Sequence, residues 1–141
     1  MCRPNSSSCG LSFRFAAGGV RLAGAEHEDT LLEANNYADT LVNLERFEEA
    51  KSLLRRTMPV AQRVLGDSND LTLKMRWCYA EALYEDPDAT LDDLREAVTT
   101  LEEIERTARR VMGGAHPLTV DIEDELRDYR VALRACETPS P

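Results

Sequence analysis

The chain has 141 residues, of which 30% are charged, with a net charge of −9 and only seven glycines and six prolines. One domain accounts for that length, and the scarcity of Gly and Pro suits helices better than short strands. The apolar stretches fall far short of the roughly 20 residues needed to cross a bilayer as a helix, which excludes an integral membrane protein of that kind.

Residues 1–25 contain Arg3, Arg14 and Arg21 and no acid, so they carry +3; the other 14 basic and all 26 acidic side chains follow, for −12. A body of that sign repels phosphate backbones, so nucleic acid is not expected as a partner and Lys/Arg-bearing segments are. The leader is serine-containing and acid-free in the manner of organelle transit peptides, without the continuous apolar core of a secretory signal. A disordered leader, or the worn remainder of an earlier repeat across residues 11–23, fits it as well. Cys2, Cys9, Cys78 and Cys136 form no CxxC pair. They read as free thiols of a reducing compartment, hence a cytoplasmic location, with organelle targeting through residues 1–25 as the alternative.

From Asp29 to Leu44 the apolar positions Leu31, Ala34, Tyr37, Ala38, Leu41 and Leu44 step by three and four, which predicts a helix. Phe47, Ala50, Leu53, Leu54, Met58, Ala61, Val64 and Leu65 predict the next. Pro59 lies inside it, where a proline removes a backbone hydrogen bond at a cost of about 3 kcal/mol. A kink is expected there, or a break with Thr57 capping a renewed helix. A third helix is predicted over Thr72–Tyr84. Thr90, three residues before Asp93, opens a fourth as a capping box, with Leu94, Ala97, Leu101, Ile104, Ala108 and Val111 turned inward and Gly113-Gly114 ending it. Pro117 begins a last helix, to about Cys136, with the narrow stripe Ile122, Leu126, Tyr129 and Leu133 and charge nearly everywhere else.

The elements repeat. Gly24, His27 and Thr30 recur as Gly66, Asn69 and Thr72, and again as Gly113, His116 and Thr119. The match continues through Tyr37-Ala38-Asp39-Thr40-Leu41 against Tyr79-Ala80-Glu81-Ala82-Leu83, and through Glu49-Ala50 against Glu96-Ala97. Extra residues in the second unit fall around Glu85-Asp86-Pro87-Asp88-Ala89, which marks a loop, because loops absorb added residues cheaply. The expected organisation is a leader over 1–23, repeat one over 24–66, repeat two over 67–113, a capping helix over 114–136 and a tail over 137–141.

The Gly-x-x-His-x-x-Thr junction and the Phe-Glu-Glu-Ala start of the second helix resemble the tetratricopeptide repeats of the kinesin light chain type. That family's junction commonly reads Gly-Pro-Glu-His-Pro-Asp-Thr-Leu; Gly24-Ala25-Glu26-His27-Glu28-Asp29-Thr30-Leu31 keeps six of the eight positions. The resemblance, over Gly24 to about Ala135, implies an all-α helix-turn-helix solenoid of about five helices, two repeats plus a C-terminal capping helix. It also implies peptide or protein binding. No long heptad segment is present, so motor association is not carried over.

His27 and His116 occupy equivalent junctions, where a side chain can accept from free amides at a helix start, and this reading outweighs catalysis or metal binding. The acidic runs Asp86/Asp88, Asp92/Asp93 and Asp121/Glu123/Asp124/Glu125 lack the alternating ligands and glycine turn of a calcium loop. No phosphate loop, nucleophile elbow or zinc spacing occurs. No cofactor, no metal and no catalytic residue are therefore expected.

In the family the first helix of each repeat lines a concave groove. With the register anchored on Ala50 and Ala97, repeat one contributes Leu32, Asn35, Asn36, Asp39, Val42 and Asn43. Repeat two contributes Lys74, Trp77, Cys78, Glu81, Tyr84 and Glu85, and the last helix Asp121, Asp124, Glu125 and Asp128. The expected peptide-binding set is Asn35, Asn36, Asp39, Asn43, Lys74, Trp77, Glu81, Glu85, Asp124 and Asp128. Asparagine amides would hold a peptide backbone, and Trp77, the single tryptophan, would stand open as an anchor; against this, Trp77 packs between helices. A non-catalytic interaction module for a basic peptide is the reading this supports. A fragment of a longer solenoid that self-associates through its N-terminal end is the alternative, and a helical enzyme a remote one.

Overall fold

Local signals set several of the helix ends. Thr90 accepts from the Asp93 amide while Asp93 accepts from the Thr90 amide, closing the predicted capping box. Gly66 and Gly113 end two helices at φ +92°, a backbone conformation that side-chain-bearing residues rarely adopt. In the computed structural model, which describes residues 28–137, five helices follow: α1 (Glu28–Asn43), α2 (Phe47–Leu65), α3 (Asp70–Glu85), α4 (Leu91–Met112) and α5 (Pro117–Glu137). Gly24, His27, Cys2, Cys9, the leader and the tail from Thr138 lie outside the described residues, and with them the readings made of them.

The molecule is all-α and repeat-like. α1 packs on α2 and α3, α2 on α3, α3 on α4, and α4 on α5. Side chains join α3 to α5: the Tyr84 and Tyr129 rings stack with centroids 3.7 Å apart and planes 12° from parallel. α1, α3 and α5 therefore adjoin in one layer, with α2 and α4 on the other side of α3. The outer pair meets over Tyr79, whose hydroxyl accepts from Arg55 Nε of α2 at 3.2 Å and donates to Glu96 of α4 at 3.1 Å. The Arg55 guanidinium also lies over the Tyr79 ring, 5.7 Å from its centroid.

The core follows most of the predicted stripes, but Tyr37, Leu44, Val64 and Val111, which belong to them, are exposed. Leu31, Ala38 and Leu41 of α1, Ala50, Leu54 and Ala61 of α2, and Leu94, Ala97, Leu101, Ile104 and Ala108 of α4 are buried. Each buried Leu or Ile contributes about 1.5–3 kcal/mol through surface removed from water. In α5 the stripe Ile122, Leu126 and Tyr129 is inside, and Val131 is exposed among the charges.

Two features depart from simple expectation. α2 runs unbroken from Phe47 to Leu65 with Pro59 inside it, so no second helix starts there. Thr57 caps nothing; its hydroxyl donates back to the Leu53 carbonyl at 2.9 Å. Only the Pro59 side of the backbone lacks its donor, and the packing of Leu54 and Ala61 on either side holds the helix together. The inserted loop, in turn, is not loose throughout. Asp86 is buried and accepts from Lys51 of α2 at 3.1 Å, and its other oxygen accepts from the Asp88 amide at 2.9 Å. Burial works against the Lys51 charge, but hydrogen bonds to Glu48 and Asp86 outweigh it and hold its pKa above the ordinary lysine value of 10.5.

Candidate interaction surface

α3 decides the character of the inner layer. Thr72, Arg76 and Tyr79 turn toward the outer helices: Thr72 donates to the Ala61 carbonyl of α2, and Arg76 pairs with Glu103 of α4. At about 100° per residue, Trp77, Glu81, Tyr84 and Glu85 fall roughly 140–240° around from Tyr79, on the opposite side. That opposite side is also buried, Cys78 and Glu81 included.

Trp77 is therefore not the open anchor the groove reading expects. It is 4% exposed, and its indole Nε1 donates to Glu125 Oε1 of α5 at 3.2 Å. The packing alternative is the correct one for this residue. A groove register reads which face a residue takes, not how closely the next helix approaches that face.

The expected binding residues divide by depth. Asn35, Asp39, Trp77, Glu81 and Glu85 are buried, Asn36 and Lys74 half-buried, and Asn43, Asp124 and Asp128 exposed. Of the acids, Glu81 and Glu85 come together with Glu125 around Tyr129. Burial first, and then the charges of Glu125, Glu81 and Glu85, hold the Tyr129 hydroxyl well above the ordinary phenol value. Asp124 instead pairs with Arg127 of its own helix at 3.1 Å. Tyr129 escapes a sequence reading because it sits in the apolar stripe of the last helix; only the stacking on Tyr84 brings it to the acids.

The thiol expectation holds in part. Cys78 is free and buried, whereas Cys136 is disulfide-bonded, which corrects the reading of four free cysteines. His116 behaves as a junction residue: its Nδ1 accepts from the Leu118 amide at 3.0 Å. Among the described residues no cluster of His, Cys, Asp and Glu could hold a metal ion, and no helix is long and apolar enough to cross a membrane.

Two clefts open elsewhere. One, of about 430 Å³, lies between α4 and α5, where Arg109, Arg127, Arg130 and Arg134 face Glu105 and Glu123. Its charges are largely matched internally, since Arg109 pairs with both Glu105 and Glu123, and Arg130 with Glu102. The other, of about 350 Å³, lies where Glu45, Glu48 and Glu49 meet the Asp86–Asp88 loop. No family model, curated protein or solved structure matches the chain.

Proposed function

We propose that this chain is a non-catalytic protein-interaction module of the tetratricopeptide kind, and that its inner α1–α3–α5 layer takes a basic segment of a protein. The observation that carries the reading is the placing of Glu81 and Glu85 on the side of α3 turned away from the outer helices, where Glu125 of α5 also reaches, accepting from the Trp77 indole. Asp39 of α1 adds a third buried carboxylate, beside Glu81 and Glu85, to the same layer, and Asp128 an exposed one. Carboxylates in a low-dielectric setting favour Lys or Arg as partners, and such pairs speed association at low salt. The Asn35 and Asn36 amides stand beside Asp39 for a peptide backbone.

A titration with basic, neutral and acidic peptides at two salt concentrations tests this. Basic peptides should bind, and more weakly at high salt. Equal binding of acidic peptides would refute the assignment.

A second reading has its own observation. Tyr79 of α3 is 5% exposed under Arg55 of α2, while its repeat counterpart Tyr37 of α1 is 48% exposed, as is Leu44, seven residues on, at 59%. That flank of α1 is where a further helix or a second copy would pack. Light scattering across a concentration series separates self-association from binding of a different protein.

A further inference from the structure

We infer that the C-terminal halves of α2 and α4 form a basic docking face, and that its occupant is the aspartate-lined outer face of α5 in a second copy of this chain. The inference is independent of the inner layer and of what binds there.

The basic face follows from helix direction. Thr72 and Tyr79 of α3 meet Ala61 and Arg55 of α2, in reverse order along it. Arg76 and Tyr79 likewise meet Glu103 and Glu96 of α4 in reverse order. Both outer helices therefore run against α3 and alongside each other, and their C-terminal ends share one end of the molecule. From Arg55 on, α2 holds Arg55, Arg56 and Arg63 and no acid; from Arg106 on, α4 holds Arg106, Arg109 and Arg110 and no acid.

Four of these arginines turn outward. At about 100° per residue, Arg56 and Arg63 fall roughly 180–200° around from buried Leu54, and Arg106 and Arg110 roughly 140–180° from buried Leu101. All four are exposed. The last turn of a helix favours cations, which accounts for Arg63 and Arg110 locally. Arg56 and Arg106 lie before that turn, and the helix dipole does not account for them. Among the described residues Arg56, Arg106 and Arg110 make no ion pair, and Glu103, which shares this face of α4, is held by Arg76 of α3. Val64 and Val111, next in sequence to Arg63 and Arg110, are exposed as well and give the face apolar ground.

The complement is on α5. Asp121, Asp124 and Asp128 fall roughly 160–220° around from buried Leu126 and are exposed, with Val120 and Val131 exposed on their flank. Asp124 pairs with Arg127 in the open, whereas among the described residues Asp121 and Asp128 make no ion pair. Asp121 and Asp128 stand seven residues apart, about 10 Å along a helix, and so do Arg56 and Arg63. Within one molecule the two faces cannot meet, because α5 packs on α4, not on α2, and both faces turn away from the core. The pairing is therefore between copies. Because the two faces differ, each joined copy keeps one of them open, and association continues past two.

Light scattering of the full chain tests this at about 0.15 M salt, where a Debye length of about 8 Å screens the repulsion between two negative molecules and leaves contact pairs in place. Mass should rise with concentration past the dimer. A parent chain that stays monomeric up to about 1 mM overturns the inference, because a weaker contact selects no partner. Arg56→Glu/Arg110→Glu and Asp121→Arg/Asp128→Arg, each shown folded by circular dichroism, should each associate about tenfold or more weakly, since like charges then face each other. An equimolar mixture of the two variants should regain the parent's association, because each supplies the face that the other has lost. Failure of the mixture to associate overturns the pairing. A complex that persists in both variants and stops at the dimer belongs to the α1 flank, and overturns it too.

Discussion

Asn69 and His116 differ in chemistry and do the same work: each side chain accepts from the amide two residues on, Leu71 at 2.8 Å and Leu118 at 3.0 Å. The equivalence extends around them. The Asn69 amide donates to the Gly66 carbonyl and the His116 amide to the Gly113 carbonyl, both at 3.3 Å. The repeat found in the sequence is thus repeated in backbone hydrogen bonds. Truncation at either junction, Asn69→Ala or His116→Ala, should cost about 1 kcal/mol, the usual worth of a helix cap. Urea midpoints for the two variants should fall by similar amounts.

The junction glycines should prove less replaceable. Gly66 and Gly113 share φ +92° with ψ 159° and 158°, a region essentially reserved for glycine. Gly66→Ala and Gly113→Ala should each cost about 1–3 kcal/mol through strain alone, since an added Cβ meets nothing within 4 Å at either. Gly114→Ala is the control. Its Cβ would meet only the flexible end of Arg109, which can swing aside. Equal losses at Gly113 and Gly114 would contradict this account.

Core and loop should separate sharply in the second repeat. Leu83 is fully buried, and Leu83→Asp places a charge there, so the variant should not fold. Asp88 is exposed, and Asp88→Ala should change stability by less than about 0.5 kcal/mol. Asp86→Ala, two residues earlier, should cost about 2 kcal/mol, because Lys51 would keep only the exposed Glu48 as its ion-pair partner. Denaturation curves for the three give the order.

Trp77 should matter first for stability. Trp77→Ala should destabilise by about 3–5 kcal/mol, because it empties a buried site and leaves Glu125 without its indole donor. Its effect on peptide release is readable only where the variant is folded. Charge reversal at exposed Asp128 is the cleaner probe and should slow association with a basic peptide. Reversal at Glu102, which pairs with Arg130, should matter much less for binding. Stopped-flow association rates decide between them.

Alkaline pH should unfold the chain from two places. Lys51 is held above 10.5, so its stabilisation is complete below that value and fades as pH rises through the folded value. Tyr129 is held well above 10.0, so the unfolded phenol ionises first and stability falls above that pH. The signs agree. Tyr129→Phe should flatten the loss measured by urea unfolding across this range, and Lys51→Met should flatten it further.

How much of this the sequence carries depends on range. Helix starts at Thr90 and Pro117, the stops at Gly66 and Gly113, and the junction roles of Asn69 and His116 are local, and each is legible within a few residues. Pro59 misleads because the intact helix rests on packing against other helices, which a propensity cannot report. Trp77 misleads for the same reason at longer range. Its face is legible by counting around α3, but its depth depends on Glu125, 48 residues away. The acids Glu81, Glu85 and Glu125 are likewise legible as inner-face positions, and their convergence on Tyr129 is not.

The two-sided burial of α3 has a consequence for how the chain can be divided. In an extended array a unit can be removed, leaving its neighbours intact at the cost of one contact surface. Here α3 belongs to both halves at once: it packs on α1 and α2 of the first and on α4 of the second, and its Tyr84 stacks on Tyr129 of α5. A cut at the Gly66–Asn69 turn would leave two pieces, each with a bare apolar surface that the other was shaped to cover. Such pieces should be insoluble apart and recover the fold when mixed, which makes this turn a natural place for a split reporter.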